Sequence, residues 1–246
     1  MRRIRVFVDD AIAAGEPLAL NAFASDHLLK VLRLSRGASV TVFNGDGIDY
    51  EGTLEVIGKG SAAVLVASAQ PVANESPLEL VLAQSVARGE KMDLILQKAT
   101  ELGVVRIVPL VSERTEVRLD EDRAGRRLAH WQRVVQSACE QCGRAVVPEI
   151  DAPIALPAWV AEMRDADAAR LALHPDGART LRELAPGAAQ PIVLAVGPEG
   201  GFGERDLDAL AQGGFERLAL GPRILRTETA GLAAIAALQA MFGDLA

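Results

Sequence analysis

The sequence predicts two architectures in tandem: a small β-rich domain, then an α/β domain on a mostly parallel sheet. Three observations carry this. Residues 4–67 are dominated by short runs that alternate apolar and polar side chains, the period of a half-buried strand. From residue 78 onward, near-continuous apolar runs alternate with helix-period segments, the rhythm of strands covered on both faces by crossover helices. Between the two, Pro71 and Pro77 bracket a polar stretch, which places the boundary so that residues 1–72 and 73–246 form the two domains.

In the first domain Ile4–Val8 and Val40–Phe43 read as strands, the second ending at the turn signal Asn44-Gly45-Asp46-Gly47. Residues 48–57 and 61–67 form a further pair that reverses at Gly58-Lys59-Gly60, and one short helix is expected around Asp26–Leu32. This is a small barrel or half-barrel in class. In the second domain strands are expected at 78–83, 107–111, 170–173, 192–196 and 217–220. Helices are expected at 89–103, 120–143, 177–184, 204–212 and 228–242. The first of these puts Met92, Ile95, Leu96, Ala99 and Leu102 on one face, and the last is apolar nearly all round.

Composition narrows the class. With 246 residues, half of them hydrophobic, the chain can bury a sizeable core. No apolar run reaches the length of a membrane span, and MRRIRVFVDD is charged too early for a signal peptide. Two cysteines and no export signal point to a reducing cytoplasm and against a disulfide framework. The net charge of −7 argues against a protein that coats nucleic acid indiscriminately. Residues 1–36 are nevertheless net positive, with Arg2, Arg3, Arg5, Lys30, Arg33 and Arg36 against Asp9, Asp10, Glu16 and Asp26. A local RNA footprint is therefore permitted.

The chemistry concentrates in three segments that set Gly or Pro just after an expected strand. They are Leu173-His174-Pro175, Val196-Gly197-Pro198-Glu199-Gly200-Gly201-Phe202, and Leu220-Gly221-Pro222-Arg223-Ile224-Leu225-Arg226-Thr227-Glu228-Thr229-Ala230. In open α/β sheets ligands bind beyond the carboxyl ends of the strands, where glycine lets a ligand approach the backbone. Taken singly, each segment is also compatible with an ordinary turn. The glycine spacing after Val196 is not the dinucleotide fingerprint, and Gly89-Glu90-Lys91 lacks the earlier glycine and the following Ser or Thr of a phosphate-binding loop. Cys139 and Cys142 lie late in an expected helix with no second ligand pair, so they read as packing residues, and no metal is expected.

The segments RGEKMDLILQKATELG (88–103), WQRVVQSACEQCGR (131–144), VGPEGGF (196–202) and LGPRILRTETA (220–230) resemble the signature segments of one family. It is the RsmE family, SPOUT-class methyltransferases that modify N3 of a single uridine in bacterial 16S ribosomal RNA. Arg5-Val6-Phe7 and the run His27–Arg33 are similar to that family's PUA-like RNA-binding domain, so the likeness spans nearly the whole chain.

The resemblance implies a trefoil knot at the C-terminal end of the sheet, S-adenosylmethionine as cofactor, a homodimer, no membrane, and 16S rRNA within the assembled small subunit as substrate. It places the cofactor among Leu173, His174, Gly197, Pro198, Gly200, Gly201, Leu220, Gly221, Ile224, Leu225, Thr229 and Ala230. Arg226 is the candidate for stabilising the uracil anion, with Glu228 and Glu199 as base or as structural partners of the loops. Arg5, His27, Lys30 and Arg33 are the candidate RNA grips. Two other readings stay open at this stage: a SPOUT enzyme acting on a ribose 2′-hydroxyl, and an assembly factor that kept the fold without activity.

Overall fold

The computed structural model describes residues 4–58, 60–117, 121–163, 167–184 and 190–245. Arg2, Arg3 and Lys59, named above, and the first residue of the helix expected at 120–143 lie outside these. The chain separates into two compact units. One comprises residues 1–75 together with 136–147, and the other comprises 76–135 with 148–246.

The first unit is a five-stranded sheet of β1 (Arg5–Phe7), β2 (Pro17–Ala19), β3 (Ser39–Phe43), β4 (Ile48–Gly58) and β5 (Ser61–Pro71). Its strand order is β1-β3-β4-β5-β2, with β1 parallel to β3 and the remaining pairs antiparallel. Alternation sends Val40, Val42, Leu54, Val64 and Val66 inward, where Leu28 joins them. The expected helix at Asp26–Leu32 is displaced and changes character. Helix α1 spans Ala22–Asp26, capped by the Asn21 side chain on the Ala24 N–H, and passes into a π turn over His27–Val31.

Arg5 is not an exposed phosphate grip, a correction to the sequence reading. Its side chain is 6% exposed and ion-paired to Asp49; it donates to the Arg144 carbonyl at 2.8 Å and lies 4.6 Å from the centre of the Phe43 ring. A guanidinium committed to a buried carboxylate and an aromatic face is a structural element of this unit.

The second unit is a sheet in the order β11-β13-β10-β12-β6-β7-β8, with β9 also on β7. The strands are β6 (Leu80–Ser85), β7 (Arg106–Val111), β8 (Glu149–Ile150), β9 (Ile154–Ala155), β10 (Ala169–Leu173), β11 (Arg179–Thr180), β12 (Ile192–Val196) and β13 (Glu216–Ala219). Every pairing among them is parallel. The carboxyl ends of β10, β12 and β13 therefore share one edge, with β12 buried along its whole length. The helices are α2 (Glu90–Glu101), α3 (Glu121–Cys142), α4 (Leu156–Glu162), α5 (Glu204–Gln212) and α6 (Thr227–Phe242). Helices α4 and α5 close over Ala83, Val108, Val193 and Ala195 with Trp159 and Leu210, and Phe215, just beyond α5, joins them. Helix α6 packs on α2, β6 and β12.

The helix expected at 177–184 is not formed. Arg179–Thr180 instead pairs with β13, and a single 3-10 turn follows at Leu181–Glu183, capped reciprocally by Thr180 and Glu183. The α2 and α5 expectations hold within two residues. No helix among the described residues is long and apolar enough to cross a membrane.

Candidate active site

The three loops at the shared strand edge line one cavity of about 470 Å³. Leu173 and His174 reach it from the end of β10. Gly197, Pro198, Glu199, Gly200 and Gly201 follow β12, and Leu220, Gly221, Ile224 and Leu225 follow β13. Thr227 and Ala230, from the first turn of α6, complete that wall. Of the expected cofactor residues only Thr229 is absent from the lining.

The loops are built for close approach. A Cβ on Gly197 would stand 3.0 Å from the Phe202 nitrogen and 3.1 Å from the Gly201 carbonyl carbon, so the 197–202 turn closes on itself only without one. Gly221 has φ +88°, the left-handed region where a side chain is strained. The turn is further tied from inside. The Thr227 hydroxyl donates to the Gly197 carbonyl at 2.6 Å, and the buried Gln84 amide donates to Thr227 at 3.0 Å. On the outer side Arg114 donates to the Gly200 carbonyl at 2.8 Å. A second clasp joins Asp206, which accepts from the N–H groups of Glu113 and Gly203.

Glu199 and Glu228 share one cation. The Lys91 ammonium lies 3.2 Å from Glu199 Oε1 and 3.5 Å from Glu228 Oε2. Glu199 also accepts from the Arg88 N–H at 3.1 Å. Burial pushes the Glu199 carboxyl up. Hydrogen bonds from its own backbone N–H, from Arg88 and from Lys91 outweigh this and hold it below the usual carboxylate range. A depressed carboxylate engaged by an ammonium is a weak base, which favours the structural alternative for Glu199. Glu228 Oε2 is buried without a hydrogen bond.

Arg226 is exposed and sits between the lining residues Leu225 and Thr227. Its carbonyl accepts from the N–H groups of Thr229 and Ala230 at 2.8 Å each, opening α6. Among the described residues its guanidinium has no ion-pair partner. Neither Arg226 nor Glu228 is in the cavity lining.

The sequence alone does not single out Lys91, Gln84, Thr227 or Arg114. The signal nearest to hand is Gly89-Glu90-Lys91, whose likeness to a phosphate loop draws notice to a lysine that serves instead as an ion-pair bridge.

Replacing Lys91 with Met should raise the Glu199 carboxyl and loosen both loops. A carboxyl held low in the folded state contributes stability above its unfolded pKa and loses it as pH falls through the folded value. The Tm gap between wild type and Lys91→Met should therefore be full at pH 7 and shrink below about pH 4. Thermal unfolding across that range checks it; a gap independent of pH would contradict the assignment.

The other candidates fall in the first unit. Lys30 is exposed and paired with Asp26 at 2.7 Å, Arg33 is exposed with φ 52°, and His27 is half-buried. Cys139 is buried; burial pushes its thiol up to about 12, and it donates to the Val146 carbonyl at 3.8 Å. Among the described residues no group of three or more His, Cys, Asp or Glu is placed to share a metal ion.

The RNA methyltransferase domain family matches residues 74–239, and the RNA methyltransferase PUA domain matches residues 24–66. The chain is 33% identical over 241 residues to Ribosomal RNA small subunit methyltransferase E of Buchnera aphidicola subsp. Schizaphis graminum, covering 98% of this chain and 97% of that protein. Among solved structures, a putative methyltransferase from Legionella pneumophila in complex with S-adenosylmethionine superposes with TM-score 0.94 at 38% identity, covering 100% of both chains. Ribosomal RNA small subunit methyltransferase E from Neisseria gonorrhoeae, bound to S-adenosyl methionine, gives TM-score 0.91 at 38% identity, again over 100% of both.

Proposed function

The chain belongs to the ribosomal RNA small subunit methyltransferase E family, and from that premise we propose that it methylates N3 of a specific uridine in 16S rRNA on the assembled small subunit. It is an S-adenosylmethionine-dependent rRNA methyltransferase. The observation that carries the reading is the cavity at the ends of β10, β12 and β13, walled by backbone-rich loops.

The cavity fits the cofactor. Its volume lies within the roughly 300–1,000 Å³ usual for small-ligand sites. Leu173, Leu218, Leu220 and Leu225 offer apolar walls for a purine ring, and the glycines expose backbone for its edges. Arg114 and Arg223 supply positive charge for a carboxylate. S-adenosylmethionine, when bound, supplies an electrophilic methyl group on sulfonium. The residues around it align the acceptor and exclude water.

The N3 proton of uracil is an imide proton and only weakly acidic, so it leaves more readily when the anion is stabilised. Arg226 is assigned that role, its guanidinium meeting the charge that develops on the uracil oxygens. Glu199 and Glu228, held by Lys91, keep the two loops in register. The target base must be splayed from its partner before N3 can react.

Three further features belong to the same reading. A C-terminal trefoil knot is supported by the path of the chain, which runs from β12 out to β13 beyond β10 and back through residues 220–226 to α6 against β12. A homodimer is supported by α6, which leaves the apolar side chains Ala233, Ala240 and Met241 exposed. A cytoplasmic setting follows from the ribosomal substrate.

Transfer of labelled methyl groups to unmodified small subunits and to naked 16S rRNA tests the reading. Label is expected in the particle and far less in the naked RNA, because a chain of net charge −7 depends on local grips. Label in neither, with cofactor bound, would contradict it.

A further inference from the structure

Gln84 is an amide in the middle of an apolar sheet. It stands next to last in β6, after the buried side chains of Leu80, Leu82 and Ala83, and is itself fully buried. An amide taken out of water has to recover its hydrogen bonds or it costs stability. Gln84 recovers half of them: Nε2 donates twice, while Oε1 is buried with no hydrogen bond. A methionine of the same reach would fill the space without that cost. Packing gives no reason for the amide here, whereas its partners do.

The two bonds set the direction of every proton in a short chain. Nε2 donates to the Ser85 carbonyl at 2.9 Å and to Thr227 Oγ1 at 3.0 Å. A carbonyl only accepts, so the amide nitrogen, not its oxygen, faces Ser85 and Thr227. The Thr227 oxygen therefore accepts from Gln84, and its single proton goes to the Gly197 carbonyl, 2.6 Å away.

This chain joins two walls of the cavity. Gln84 pairs in register with Val196 of β12, the residue before Gly197. It also lies against α6 at two successive turns. Thr227 opens the helix, and a Cβ on Gly231 would stand 3.5 Å from Gln84 Oε1. The turn that begins at Gly197 lines the cavity, and Thr227 follows directly on Arg226. Gln84 itself does not line the cavity.

We propose that Gln84 is a positioning residue for methyl transfer. Acting through the Thr227 hydroxyl, it sets the cofactor turn and the start of α6, and hence Arg226, in one step. The inference rests on the reading that Arg226 meets the uracil, and it adds a residue that touches neither cofactor nor substrate.

The test is a double-mutant cycle on the full-length protein, with Gln84→Met, Thr227→Val and the two combined. Calorimetric Kd for S-adenosylmethionine reads the Gly197 turn, and single-turnover transfer to small subunits at saturating cofactor reads Arg226. Gln84→Met should raise the Kd about tenfold and slow the saturated transfer by a similar factor, because a buried hydroxyl is left without its donor. The double variant should be no worse than Thr227→Val within about twofold, since both changes cut the same chain. Thr227→Ser should recover most of what Thr227→Val loses. If Gln84→Met is too unstable to assay, the Thr227→Val and Thr227→Ser pair reads the same chain from its other end. A lowered Tm in Gln84→Met with Kd and rate like wild type would overturn the proposal, leaving a packing residue. Effects that multiply in the double variant would also overturn it, as would Thr227→Val behaving like wild type. Failure of the underlying reading shows separately, as wild-type protein that binds cofactor but transfers no methyl group.

Discussion

Replacing Arg226 with Ala should slow methyl transfer by about 10²–10³-fold while the Kd for S-adenosylmethionine stays within about threefold. The magnitude is that of losing one preorganised donor to a developing anion. The separation follows from position. The Arg226 side chain is exposed and outside the cavity lining, whereas its backbone carbonyl opens α6 by accepting from Thr229 and Ala230. Alanine keeps that carbonyl. Arg226→Lys should recover part of the rate, since charge survives while the planar fork does not. Single-turnover transfer and calorimetric cofactor binding, measured on the same preparation, check this. If binding and turnover fell together, Arg226 would be a structural residue of the loop.

Gly197→Val should produce the opposite pattern, with cofactor affinity down about 100-fold and turnover following it. Even a Cβ here meets the backbone of Gly201 and Phe202 at 3.0–3.2 Å, and backbone cannot swing aside as the end of a side chain can. The turn must open, and opening it disturbs the Thr227 hydroxyl bond to the Gly197 carbonyl and the Gln84 bond behind it. Overpacking of this sort costs about 1–3 kcal/mol, so a drop in Tm should accompany the loss of binding. Unchanged cofactor affinity in a folded Gly197→Val protein would show that this turn does not shape the cavity.

What was legible in the sequence was local. The strand runs at 107–111 and 192–196, and the helix periods at 89–103 and 204–212, are properties of consecutive residues, and they appear where expected. The glycine loops were legible for the same reason, because Gly197 and Gly221 must be glycine to make their turns. The segment 177–184 misled because its helix-like composition is overruled by pairing with β13, nearly forty residues on in the chain. Helix α4 and strands β8 and β9 are too short for a period to show.

Long-range partners were hidden altogether. Arg5 reads as a free basic residue until Asp49 and the Arg144 carbonyl are brought beside it. Lys91 acquires its role only when Glu199 and Glu228 arrive from more than a hundred residues away. The long helix α3 reads as one element, yet its residues 136–142 belong to the first compact unit and the rest to the second.

In the proposed reaction the cavity of the second unit delivers a methyl group to N3 of uridine. The most direct measurement incubates the protein with labelled S-adenosylmethionine and unmodified small subunits, digests the RNA to nucleosides and identifies the labelled one by mass. Label is expected in 3-methyluridine and in no other nucleoside. Label in a 2′-O-methyl nucleoside would contradict it, keeping the cofactor site but moving the chemistry from an imide nitrogen to a ribose hydroxyl.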